Sequence, residues 1–180
     1  RLNVAEQLAI VLIQTLEQSL PNIKVTVSGS LRRCLETVGN INLIVMNATA
    51  KDVAKVLASI ATVNEVLESS LSASVEGRDI YITIVNKENF GAVLAYQTGN
   101  YEYRQMLLER AIELGFELRD NGLFKNQTLV ETQTEIEFFE TLQLSYLRPE
   151  LREEKNPKPV KDLLEFKDIK GLVHNHSTWS

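Results

Sequence analysis

A Gly29-Ser30 turn, the arginines Arg32 and Arg33 behind it, and Asn40 and Asn42 further on form the stretch of this sequence best suited to chemistry. Such a turn lets backbone N–H groups face an anion at close range. Ser30 adds a hydroxyl donor, and Arg33 adds a bidentate fork for phosphate. Asn40 and Asn42 follow Gly39 on a segment of strand character, so both project from one face. Two aspartates there would hold magnesium between a triphosphate and an attacking hydroxyl, the two-metal arrangement of phosphoryl transfer. Magnesium demands hard, preferably anionic oxygens. Asparagine keeps the shape of aspartate and one carbonyl oxygen but loses the charge. The stretch has the layout of a phosphate-and-metal site without its metal ligands.

Two further groups carry chemistry. His174 and His176 share one strand face, the spacing of a metal-binding pair. Cys34, the single cysteine, has neighbouring arginines that favour its thiolate. No histidine or aspartate stands near it in sequence to serve as a catalytic partner.

The elements that must position these residues alternate between helix and strand. Asn3-Val-Ala-Glu6 reads as a capping box that opens an amphipathic helix closed by Pro21. Lys24 to Ser28 alternates as a strand, which Gly29-Ser30 breaks. Ile41 to Met46 is an apolar run suited to a buried strand. Lys51 to Ile60 is a second amphipathic helix. Val63 to Glu68 and Ser72 to Val75 are weaker strands around Ser69-Ser70, and Ile80 to Val85 is a strong one. Glu88 to Tyr96 and Tyr101 to Leu114 read as helices, the second capped by Gly115. Phe116 to Phe124 is a hairpin turned by Asn121-Gly122. Thr134-Glu-Ile-Glu137 is another capping box, opening a short helix to Leu142. Pro149 to Pro159 is charged and proline-bearing, a linker in which Glu153-Glu154, Lys158 and Lys161 are solvated. This order predicts an α+β fold, a mixed β-sheet with helices on one side followed by a smaller appendage.

Composition narrows the setting. The 180 residues are 44% hydrophobic and 24% charged, ordinary globular values for one domain or two small ones. No run of 18 apolar residues marks a membrane span. The first residues do not read as a signal peptide, and one cysteine cannot close an internal disulfide, so a reduced, cytoplasmic setting is expected. The net charge of -5 is unevenly spread: residues 1–101 carry 8 basic and 9 acidic groups, residues 102–165 carry 9 and 14. A broad basic footprint for nucleic acid is absent, although Arg32 and Arg33 form a local basic patch.

The motifs together resemble the palm of the family X (DNA polymerase beta-like) polymerases. That family's pattern is Gly-Ser-aromatic-Arg-Arg, then Glu-Thr-Val-Gly-Asp-x-Asp followed by apolar residues. Gly29, Ser30, Arg32, Arg33, Glu36, Thr37, Val38 and Gly39 match it. Leu31 replaces the aromatic, and Asn40 and Asn42 replace both aspartates. Phe90-Gly-Ala-Val-Leu-Ala-Tyr-Gln-Thr-Gly99 resembles the palm-to-thumb junction, and Asn121-Gly-Leu-Phe124 the thumb. Glu150-Leu-Arg-Glu153 and the segment from Asp168 to Ser180 resemble the joint of bacterial members, where a PHP (polymerase and histidinol phosphatase) domain follows and its first strand carries His-x-His. The resemblance spans essentially the whole chain. It implies a nucleotidyltransferase-like palm over residues 1–94 and a small α/β thumb over 95–147. A linker over 148–168 and the truncated start of a PHP domain over 169–180 complete the reading. The chain is then a middle fragment, opening just past the family's helix-hairpin-helix fingers.

The resemblance also implies where the chemistry fails. Counting back from Phe90 puts the third metal-binding aspartate at Tyr81, so the three positions read Asn40, Asn42 and Tyr81. Asp79 lies two residues away on the same strand face, about 7 Å along it. With Glu76 it is the substitute ligand an active enzyme would need. A tyrosine at the third position points to natural degeneration rather than an engineered knockout. The nucleotide pocket keeps Gly29, Ser30, Arg33, Gly39, Tyr96, Thr98 and Gly99. Gln97 stands in place of an aromatic, and Arg104 in place of an asparagine that faces the base. The expected function is a polymerase-inactive palm and thumb of DNA repair type, binding DNA or nucleotide weakly or serving as a scaffold beside a PHP phosphoesterase. No cofactor is expected in this fragment, with magnesium required only if nucleotidyl transfer survives. His174 and His176 would ligate metal in the complete PHP domain. The alternatives are an active enzyme with substitute ligands and a protein–protein module using the acidic thumb.

Overall fold

The computed structural model describes residues 2–155 together with Pro157, Asp168, Lys170 and Gly171. Its first half is built on five strands: β1 (Lys24–Ser28), β2 (Ile41–Met46), β3 (Thr62–Val66), β4 (Ser70–Val75) and β5 (Arg78–Val85). They lie in the order β1-β2-β5-β4-β3. The β2–β5 pair is parallel and the other pairs are antiparallel, a mixed sheet. Alternation along each strand sorts the side chains by face. Ile41, Leu43 and Val45 of β2 and Ile80 and Ile82 of β5 enter one core with helices α1 (Leu2–Ser19) and α3 (Ala50–Leu57). Helix α1 presents Ala5, Ala9, Leu12 and Leu16, a stripe at helical spacing, to that core. A one-turn helix, α2 (Gly29–Arg32), follows β1 directly.

The opposite face is covered only in part. Helix α4 (Phe90–Thr98) packs Phe90, Val93 and Leu94 against Ile44, Met46 and Val85. Asn42 and Tyr81 share that face, outside this apolar cluster. Seven of the nine residues of α4 are buried, because its other side, Ala92 and Ala95, enters a second core. That core adds Tyr103, Leu107 and Ala111 of α5 (Tyr101–Glu113) and Phe138 and Phe139 of α6 (Glu135–Thr141). Leu118 and Leu123 complete it from a small antiparallel sheet, β6 (Glu117–Arg119), β7 (Gly122–Lys125) and β8 (Thr128–Val130). Gly91 lets the two halves meet, since a Cβ there would stand 2.1 Å from the Thr134 carbonyl oxygen. The α+β class and the mixed sheet are as the sequence indicates. The boundary expected between residues 94 and 95 falls inside α4, which serves both cores.

Several local expectations are corrected. Asn3 does not cap α1 but lies within it: its side chain accepts from the Val4 N–H, while the Leu2 N–H donates to the Glu36 carbonyl. Thr134 does cap α6, accepting from the Glu137 N–H at 3.2 Å, but Glu137 reaches back to the Gln133 N–H, one residue beyond a true capping box. In the β6–β7 hairpin Arg119 pairs with Gly122, so the turn is Asp120-Asn121. A third strand escaped the sequence reading. Its turn is Asn126-Gln127, both residues at positive φ, without the glycine that usually marks such a turn. No helix among the described residues is long and apolar enough to cross a membrane.

Candidate functional site

Strand register brings the three expected metal positions together. Asn42 pairs with Tyr81 across the parallel β2–β5 ladder and with Ser28 across β1. Asn40 lies just before β2, and the Asn42 amide donates to the Asn40 Oδ1 at 3.3 Å. That bond engages the carbonyl oxygen of Asn40, one of the two that the pair could have offered a cation. Tyr81 is 45% exposed. Asp79 is exposed one step along the strand face, opposite Ser74, and Glu76 stands in the β4–β5 turn at φ 51°. Among the described residues no three acidic, histidine or cysteine side chains gather as a metal site. Two amides and a phenol do not fit magnesium, which takes hard anionic oxygens.

Gly29 is required where it stands. Its φ is +66°, and a Cβ would meet the Asn42 amide nitrogen at 2.6 Å. The turn therefore lies directly on the asparagine pair. Next to it Ser28 is buried and donates to the Gln97 Oε1 at 3.4 Å, while Gln97 donates to the Thr83 hydroxyl at 2.8 Å. Gln97, standing where an aromatic was expected, thus ties α4 to the sheet. Gly99 sits against the Tyr103 ring, where a Cβ would stand 2.6 Å from a ring carbon, whereas Gly39 has open space around it. Arg104 lies over the Tyr96 ring at 5.1 Å, a cation–π contact.

The arginines behind the turn are bound to the second half of the molecule. Arg32 donates to both oxygens of Glu135, at 2.9 and 2.6 Å, and to the Thr98 hydroxyl at 2.7 Å. Arg33 donates from Nε to Glu153 at 2.5 Å and from Nη1 to the Thr98 carbonyl at 2.7 Å. Arg152, fully buried, shares Glu135 from the other side at 2.6 Å and donates twice to the Leu147 carbonyl. Its guanidinium also lies over the Phe139 and Tyr146 rings. Burial alone would raise the Glu135 carboxyl, but hydrogen bonds and charge from Arg32 and Arg152 outweigh it and hold the group below its ordinary range.

Sequence reasoning identified Arg32 and Arg33 but not Glu135, Arg152 or Glu153 as their partners. Glu135 was visible only as the first residue of a capped helix. Glu154 is exposed, as a solvated segment requires, yet Arg152 is buried and Glu153 is engaged. Arg78 was also missed: it donates to the Val38 carbonyl at 2.7 Å and steadies the loop that leads into Asn40. The expectation for Cys34 is reversed. Burial, then Glu150 and Glu6, push its thiol up, away from thiolate. His174, His176, Lys158 and Lys161 lie outside the described residues.

Comparison with known proteins bears on this arrangement. Residues 93–153 match the family model described as DNA polymerase beta thumb. The chain is 28% identical over 170 residues to the DNA polymerase/3'-5' exonuclease PolX of Bacillus subtilis (strain 168), covering 88% of this chain and 30% of that protein. It is 38% identical over 65 residues to DNA polymerase IV of Saccharomyces cerevisiae, covering 36% of this chain and 11% of that protein. The chain spans less than a third of the length of either relative.

Proposed function

We propose that this chain is the palm and thumb of a family X-type DNA polymerase relative in which nucleotidyl transfer has been lost and binding retained. One observation carries the reading: the two asparagines bond to each other, and Tyr81 stands beside them, where two-metal phosphoryl transfer needs carboxylates. Such a reaction needs its metals held between triphosphate and nucleophile, and Asn40, Asn42 and Tyr81 bring no charge to hold them. The substitute set of Asp79 and Glu76 would need ligands that are not gathered among the described residues.

The remaining residues suit binding. Gly29, Ser30, Arg33 and Gly39 are the phosphate side of the site. Tyr96, Thr98, Gly99 and Arg104 form the nucleotide side, and the partner is DNA or a nucleotide. The matched bacterial relative carries polymerase and 3'-5' exonuclease in its name. That supports a second, nucleolytic PHP module beside this one, with His174 and His176 among its metal ligands.

Primer extension with magnesium and with manganese is the test. No template-dependent incorporation is expected with either metal, together with weak binding of DNA or nucleotide. Robust incorporation would end this reading.

A further inference from the structure

Arg33 is the arginine this reading gives to phosphate, and the protein already fills it with a carboxylate. Glu153 accepts from its Nε at 2.5 Å, and the Thr98 carbonyl accepts from its Nη1 at 2.7 Å. The Arg33 side chain is 9% exposed, so the ion pair is largely withdrawn from water on that side. Glu153 is 35% exposed, so its own carboxylate borders solvent. The backbone around it is fixed: Asn100 donates from its side chain to the Glu153 carbonyl and from its N–H to the Arg152 carbonyl at 3.1 Å. Arg152 is anchored between two rings and on Glu135 and Leu147. The segment therefore holds the part-exposed Glu153 carboxylate on the Arg33 guanidinium while its backbone is tied to Asn100.

We propose that Glu153 is an internal oxyanion that occupies the Arg33 fork and competes with phosphate-bearing ligands for it. This rests on Arg33 being the phosphate-binding arginine of the proposed function. A carboxylate and a phosphate present the same acceptor geometry to a guanidinium, so only one of them can use the Nε position. Charge works in the same direction. Three guanidiniums, Arg32, Arg33 and Arg152, face two carboxylates, Glu135 and Glu153. Glu135 is locked between two arginines, which leaves Glu153 as the displaceable anion. Its release requires side-chain rotation without any movement of the pinned backbone.

The experiment is a metal-free calorimetric titration of the 180-residue chain with inorganic tripolyphosphate. The variants are Glu153→Gln, Glu153→Ala, Arg33→Ala and Arg33→Ala/Glu153→Ala. Glu153→Gln removes the charge with little change of shape and serves where the alanine variant misfolds. Both Glu153 variants are expected to bind about tenfold or more tightly than the parent, the loss of one charge-assisted competitor. That gain should vanish in the double variant. Unchanged affinity in the Glu153 variants, with weaker binding in Arg33→Ala, would overturn the competition and keep Arg33 as the phosphate group. An equal gain in the double variant would also overturn it, since the effect would then be general charge. Binding by none of the proteins would remove the phosphate site itself, and the competition with it.

Discussion

Two polar regions sit on either side of Gly29, and they differ in charge. On the sheet, Asn40, Asn42 and Tyr81, which the proposed function reads as former metal positions, carry no charge. Behind the turn, Arg32, Arg33 and Arg152 keep their charges and pair with Glu135 and Glu153. Charges that have a structural use persist, because removing one partner of a buried pair leaves the other uncompensated. Carboxylates grouped for magnesium have no such support once the metal is not used, because they repel one another. Under the proposed function, one short segment thus combines uncharged residues on the sheet with arginines whose charges are held in place by tertiary pairing.

The largest effect should come from breaking the paired region. Glu135→Ala leaves Arg32 and the fully buried Arg152 without their shared carboxylate, and about 3 kcal/mol or more of stability should be lost by denaturant unfolding. Changing Asn42→Ala on the sheet should cost far less, because its bond to Asn40 joins neutral, half-exposed groups.

Acid should reproduce part of that loss. The Glu135 pKa is lower in the folded state than in the unfolded chain, so its contribution is complete above the ordinary carboxylate range. It is lost as pH falls through the folded value. The parent should lose more stability than Glu135→Gln between about pH 4.5 and lower values, as thermal melts in a pH series would read. Tyr103 acts at the other limit. Burial pushes it up to about 12, so its contribution is present below the unfolded value near 10 and is lost as pH rises toward 12.

Gly29→Ala tests the seam between the two regions. A positive φ should cost about 1 kcal/mol, and the contact with the Asn42 amide should add to it. Adding Asn42→Ala should recover the steric part and leave the backbone part, which double-mutant unfolding would separate. The smallest change is expected from Arg104→Ala, which loses a cation–π contact with Tyr96 worth about 0.5–1 kcal/mol.

Much of this was legible in the sequence. An apolar run marked β2 and a β-branched, aromatic run marked β5, while only the register of the two strands set Asn42 beside Tyr81. Local signals also found α4, α5 and α6. What stayed hidden depended on distance along the chain. Arg32 meets Glu135 and Arg33 meets Glu153 across more than a hundred residues, and nothing local at Glu153 distinguishes it from the exposed Glu154. The proline and charge around these residues suggested a solvated linker. Tertiary pairing gave one of the two glutamates another role. Strand β8 was hidden by turn chemistry, because Asn126-Gln127 adopts positive φ without glycine.

Under the proposed function the sheet end of the site no longer handles metal. A magnesium titration, with a nucleoside triphosphate present, tests it most directly. The parent chain should be compared with Asn40→Asp/Asn42→Asp/Tyr81→Asp. The parent should show no magnesium-dependent gain in nucleotide affinity, and the triple variant should acquire one. Tight magnesium-dependent nucleotide binding by the parent, lost on Asp79→Ala, would contradict the claim and give the site back to catalysis.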